Sequence, residues 1–168
     1  MALPSITPEI RAFLNEMRVP CVISTLRPDG APITSATWFG FLGDDVVVST
    51  PAQRNKARNV RNDPRVSFIV DTKTNPVQGV AIEGVVEVLD DHDDAILGSI
   101  VARYLGAEAA AEMMQRLNAA RGERVILRIR AQRVRPWAIP APTTSPERSA
   151  SPGPSASPSP SALGAESP

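Results

Sequence analysis

The sequence predicts a compact antiparallel β-barrel carrying helical additions, and three observations carry that prediction. Short apolar, β-branched runs recur between turn signals from Cys21 to Val70. A long stretch of strand-like alternation, Gly79 to Leu89, follows them. The longer helical patterns come late and together, between Asp90 and Ala120, whereas βαβ units would alternate them with strands.

Each element has a local reason. Thr7 is a fitting N-cap, Pro8 suits a first helical position, and Ile10, Phe13, Leu14 and Met17 repeat at helical spacing, so a short helix opens the chain. After Pro20 the period becomes that of strands. Cys21–Leu26 and Ala31–Phe41 flank the turn Arg27-Pro28-Asp29-Gly30 and read as a hairpin. Leu42-Gly43-Asp44-Asp45 is the next turn, and Val46–Thr50 a third strand. A brief helix from about Gln53 to Asn62 is stopped by Pro64, and Val66–Val70 is a fourth strand. In Gly79–Leu89, Gly84 permits a bend or a close backbone approach. Asp90–Leu105 reads as a helix with an acidic start, closed by Gly106, and a second helix runs from Ala107 to about Ala120. Arg124–Arg133 is the last strand and ends at Val134-Arg135-Pro136-Trp137, which brings the total to about six.

Length and composition bound the rest. The 168 residues allow one domain with a sizeable core. Composition shifts near Pro140 to Pro, Ser, Ala and Thr, so residues 1–139 form the expected domain and 140–168 a disordered tail, read as a spacer. Eighteen Lys and Arg balance eighteen Asp and Glu, which gives no bulk attraction to nucleic acid or an anionic membrane. Cys21, the single cysteine, excludes an intramolecular disulfide and favours a cytoplasmic setting, and no apolar run approaches the roughly 20 residues of a membrane span. With one cysteine and one histidine far apart, neither a metal site nor a Cys-His nucleophile is expected. His92 reads as an exposed first-turn residue and Cys21 as a small core residue.

The most informative stretch is Ser49-Thr50-Pro51-Ala52-Gln53-Arg54-Asn55-Lys56-Ala57-Arg58-Asn59-Val60-Arg61. A strand ends in two hydroxyls and a helix opens into a run of cations. Free first-turn N–H groups, the positive end of the helix dipole and the charges of Arg54 and Lys56 make such a junction a natural anion site. The competing reading is a solvated basic helix. No glycine-rich phosphate loop, serine-centred elbow or metal-ligand spacing occurs elsewhere. An enzyme built from this inventory therefore takes its reactive atoms from a cofactor, and no catalytic side chain is named.

Val19-Pro20-Cys21 through Asp29-Gly30, Trp38-Phe39-Gly40, Val48-Ser49-Thr50, Arg54-Asn55-Lys56-Ala57-Arg58-Asn59-Val60 and Asp63-Pro64-Arg65-Val66-Ser67 together resemble the pyridoxamine 5′-phosphate oxidase-like superfamily. Within it they resemble the deazaflavin-dependent oxidoreductase B branch, with similarity continuing through Glu83-Gly84 to about Trp137. The resemblance implies a mainly β fold with helical additions, a split β-barrel that assembles as a homodimer with two interfacial cofactor sites. It implies that Ser49, Thr50, Arg54 and Lys56 hold the anionic tail of coenzyme F-420 or FMN, with Arg58 and Asn59 beside them. For Arg58 an ion pair with an acid is the alternative, and for Asn59 a helix-capping role. Thr34, Ala36 and Trp38 would run along the ring system, with a core role equally open for Trp38, and Val77 and Gln78 would reach the site from the other subunit.

Several relatives place an aromatic residue where this chain has Val77-Gln78. The chain also lacks the basic and histidine ligands that pyridoxamine phosphate oxidase proper carries near its C-terminus, which points away from vitamin B6 oxidation. The expected activity is hydride transfer from reduced coenzyme F-420 to an unsaturated small-molecule substrate. The alternatives are an FMN-dependent oxidoreductase of the same fold and a non-catalytic carrier of flavin, deazaflavin or haem.

Overall fold

A computed structural model describes residues 6–92, 94–120 and 122–139. The stretch from 140 to 168, expected as a tail, lies outside the described residues. In chain order the elements are α1 (Pro8–Glu16), β1 (Cys21–Leu26), β2 (Pro32–Thr37), β3 (Gly40–Leu42), β4 (Asp45–Pro51), α2 (Asn55–Asn62), β5 (Arg65–Asp71), β6 (Gly79–Asp90), α3 (Ala95–Leu105), α4 (Ala107–Ala119) and β7 (Arg124–Trp137).

The strands form one antiparallel sheet in the order β2-β1-β5-β6-β7-β4-β3. Its two edge strands, β2 and β3, are joined only by Trp38-Phe39. A link that short holds the two edges side by side, so the sheet must curl into a barrel that is split between them. The sequence reading made Ala31–Phe41 one strand. The chain instead leaves the ladder at Trp38, where the Phe39 ring turns into the core against Phe68 and the Phe39 amide donates to the Tyr104 hydroxyl. Seven strands result in place of about six.

Alternation decides what each face buries. Cys21, Ile23, Val46, Val48, Phe68, Val80, Ile82, Leu127 and Ile129 fill the barrel interior with Phe39. Val47 and Ile126 point the other way and pack beneath Ile100 of α3, which leaves β4 buried on both faces. The polar face of β7 meets acids across the ladder: Arg128 and Arg130 both pair with Asp45, and Arg130 with Glu87.

Three local readings have visible causes. Thr7 caps α1 through its hydroxyl, which accepts from the Ile10 amide. Gly84 sits at a β-bulge, where a Cβ would run into the Arg130 carbonyl of the neighbouring strand. Gly106 ends α3 at φ 80°. The helix expected over Asp90–Leu105 starts later, because the β6–β7 ladder continues to the pair Asp90–Val125. Asp91 then caps α3 from outside, its carboxylate accepting from the Ile96 and Leu97 amides.

Candidate functional site

A groove of about 690 Å³ lies where β4 runs into α2, flanked by β1, β2 and the start of β7. Pro51 turns the chain out of the sheet: the Arg54 amide donates to its carbonyl, and the Ala52 amide donates to Glu123, the residue before β7. Arg54 is the N-cap of α2 and caps it with no side-chain bond. The amides of Asn55 and Lys56, both groove residues, therefore lack a side-chain acceptor among the described residues, at the positive end of the helix dipole.

Thirteen residues line the groove; three are cations, six carry hydroxyls and none is an acid. Arg54, Lys56 and Arg124 are the cations. Burial pushes the Lys56 ammonium below its usual range; of the nearby groups, the Cys21 thiol works against that shift and the positive charges of Arg54 and Arg124 add to it. Burial likewise lowers the Arg124 guanidinium, against the charge of Asp94. The Arg124 side chain makes one hydrogen bond among the described residues, donated from Nε to Ser49 Oγ at 3.1 Å. Half-buried Lys56 and Arg124 and exposed Arg54 thus share one wall with no carboxylate among its lining residues, an arrangement that a bound anion would relieve.

Ser49, Thr50, Arg54, Lys56 and Thr34 of the expected site line this groove. The others do not. Arg58 is exposed on the solvent side of α2 and forms no ion pair among the described residues. Asn59 is buried, and its amide donates to Thr25 Oγ1 at 2.9 Å, a strut between α2 and β1. Ala36 is exposed and falls outside the lining, which takes Ile33, Thr34, Ser35 and Thr37 from β2. Trp38 stacks on Tyr104, ring centroids 4.8 Å apart, and packs beneath α3, so the core half of its open reading is the observed one. Val77, half exposed, and Gln78 lie in the β5–β6 connection and do not line this chain's groove. Cys21 is fully buried, and burial pushes its thiol up to about 12, which leaves it inert as a nucleophile.

A family model for pyridoxamine 5′-phosphate oxidase matches residues 6–138. The chain belongs to the pyridoxamine 5′-phosphate oxidase family. Among solved structures of this fold, a conserved hypothetical protein from Mycobacterium tuberculosis superimposes with a TM-score of 0.68 at 30% identity, over 80% of this chain and 86% of the other. An F-420 reductase gives 0.59 at 27% identity, over 73% and 94%. A haem-binding protein from Mycobacterium smegmatis gives 0.58 at 26% identity, over 82% and 55%. No curated protein matches the sequence at a significant level.

The residue of this pyridoxamine 5′-phosphate oxidase family member that sequence reasoning missed is Arg124. It opens β7 opposite Pro51, and only the register of that strand brings it to the junction. The inward row Ile33, Ser35 and Thr37 was missed with it, since its alternation is legible but the choice of face is not. No helix among the described residues is long and apolar enough to cross a membrane.

Proposed function

We propose that the chain is an oxidoreductase that binds coenzyme F-420 in the β4–α2 groove and reduces an unsaturated organic acceptor. The observation that carries this reading is the acid-free wall of Arg54, Lys56 and Arg124 beside the open first turn of α2. That donor set fits a phosphate or carboxylate tail, since cations and backbone N–H groups converge with no competing acceptor charge. The F-420 reductase among the similar structures supports the choice of coenzyme.

When bound, the coenzyme supplies the hydride. The chain's own residues do the rest. Arg54, Lys56 and the first-turn amides hold the anionic tail, and Ser49 and Thr50 contribute hydroxyls at the strand end. Ile33, Ser35 and Thr37 form a wall along which a flat ring lies. The groove lining contains no Asp, Glu, His, Cys or Tyr, so the proton that completes the reduction comes from solvent. A second copy of the chain closes the groove, with its Val77 and Gln78 placed at the open side; light scattering showing a dimer supports this part of the reading.

FMN is the second reading, because its phosphate meets the same cations. A haem carrier is disfavoured by the same lining, which offers no His, Cys, Tyr or Met as an axial ligand. Titration of the purified protein with coenzyme F-420 and FMN side by side, followed by fluorescence or calorimetry, tests the proposal. Saturable F-420 binding and turnover with an acceptor support it. Binding of FMN alone moves the assignment to the flavin, and binding of neither removes it.

A further inference from the structure

Arg124 lines a second space besides the groove, a hollow of about 300 Å³, and it is the one residue common to the two linings. Their chemistry is opposite. The groove lining has no acid, whereas the hollow has four, Asp90, Asp91, Asp94 and Glu123. The guanidinium thus stands at the boundary between a wall of cations and a wall of carboxylates.

The four acids are not equivalent. Asp91 is committed to α3 through the Ile96 and Leu97 amides, and Asp90 and Glu123 are exposed to water. Asp94 is half-buried, and its carboxylate makes no hydrogen bond or ion pair among the described residues. It shares with Arg124 a further hollow lined also by Leu117 and Asn118, and its charge supports the Arg124 guanidinium against burial. On the groove side, Lys56 and Arg124 repel one another. Only Nε of the guanidinium is committed among the described residues, to Ser49, which leaves the outer N–H groups for either side.

We propose that Asp94 is the counter-charge of Arg124 and through it sets the affinity of the groove for its anion. With the groove empty, attraction from Asp94 and repulsion from Lys56 both draw the guanidinium toward the hollow. An anion in the groove reverses the balance on its own side and competes with Asp94 for the same N–H groups. Asp94 is a positioning residue in this scheme, since it lies outside the groove lining and acts through Arg124. The inference rests on the proposed function only in taking the groove's ligand to be an anion; which coenzyme that is does not enter. Linkage makes the effect reciprocal, so a bound anion weakens the Asp94–Arg124 attraction as much as Asp94 weakens anion binding.

Asp94 stands at φ 56°, a left-handed conformation that Asn and Gly adopt at little cost, so either replacement removes the charge and keeps the start of α3. Calorimetry on the full chain in low salt, with coenzyme F-420 and separately with inorganic pyrophosphate, measures the effect. A partly exposed pair contributes modestly, so Asp94→Asn is expected to tighten either anion about two- to fivefold, and added salt shrinks the gain. In an Arg124→Gln background the same replacement is expected to change nothing, whereas a merely structural Asp94 would act whether or not Arg124 is present. Asp94→Gly repeats the test in case the first variant folds poorly. Urea unfolding without ligand supplies a second cycle, in which Asp94→Asn destabilises more with Arg124 in place than with Gln there. A gain that persists in Arg124→Gln, or no gain from either Asp94 variant in a chain that binds an anion, would overturn the inference. If no anion binds to any variant, the proposed function falls, and the ligand-free cycle decides the pair: coupling supports the counter-charge and its absence overturns it.

Discussion

Replacing Lys56 by methionine separates a ligand-binding cation from a structural one, because the two roles predict opposite changes in stability. Lys56 is half buried, has no ion-pair partner among the described residues and stands near Arg54 and Arg124. A hydrogen bond to a charged group contributes about 1.5–3 kcal/mol, so losing one to a coenzyme tail weakens binding by roughly tenfold to a little over a hundredfold. Without ligand, the change removes a desolvated charge held among like charges, so urea stability holds or rises.

The pH dependence has a definite sign. The folded pKa of Lys56 lies below its ordinary value of 10.5, so the unfolded chain binds the proton more tightly. The contribution of Lys56 to stability therefore rises as pH climbs from its folded pKa toward 10.5, against the opposite trend set by the raised Cys21 thiol, and Lys56→Met removes that contribution so that stability falls more steeply with pH. Affinity for the anion moves the other way, falling as pH passes the folded pKa. Calorimetry with coenzyme F-420 and urea titrations across the alkaline range measure both. Unchanged affinity together with lowered stability would refute the reasoning.

Further outcomes follow from the same geometry. Asn59→Ala breaks the buried bond to Thr25 and costs about 1–3 kcal/mol in urea unfolding; coenzyme affinity of the folded variant stays within twofold, and a larger loss would return Asn59 to the ligand set. Arg58→Ala, on the exposed side of α2, leaves both affinity and stability near wild type in the same two assays. Gly84→Ala forces a methyl group against the Arg130 carbonyl at the bulge and destabilises by about 1–3 kcal/mol, read from the urea midpoint. Asp91→Ala removes the cap of α3 and costs about 1 kcal/mol, visible as faster hydrogen exchange at the Ile96 and Leu97 amides.

The strands and helices were legible where local chemistry decides them. Thr7 and Pro8 mark the first helix, Gly106 ends the third, and the alternation of Gly79–Leu89 gives the long strand directly. The misplaced boundaries share one cause, which is that tertiary pairing overrides local pattern. Ala31–Phe41 is continuous by propensity, yet it supplies both edges of the sheet and must break where Phe39 enters the core. Asp90 has the look of a helix start, yet ladder pairing with Val125 holds it in β6. Within the basic helix, the family resemblance placed Arg58 and Asn59 beside Lys56, and the sequence alone could not say which of them faces β1.

Arg124 shows why the site was only half readable. Ser49 and Arg124 are 75 residues apart, and they meet because β4 and β7 pair with Pro51 opposite Arg124. On a pleated sheet a slip of one residue sends every side chain to the other face. A slip in one direction would set Glu123 opposite Pro51 and bring a negative charge to the wall shared by Arg54 and Lys56; in the other it would set Val125 there and leave Ser49 without its donor. The apolar residues that fix this register, Val125, Leu127 and Ile129 against the barrel interior and Ile126 against α3, contact no anion themselves. The charge of the groove is therefore set by the packing of a strand whose core-facing residues lie outside it, and substitutions that loosen that packing should weaken anion binding before they unfold the barrel.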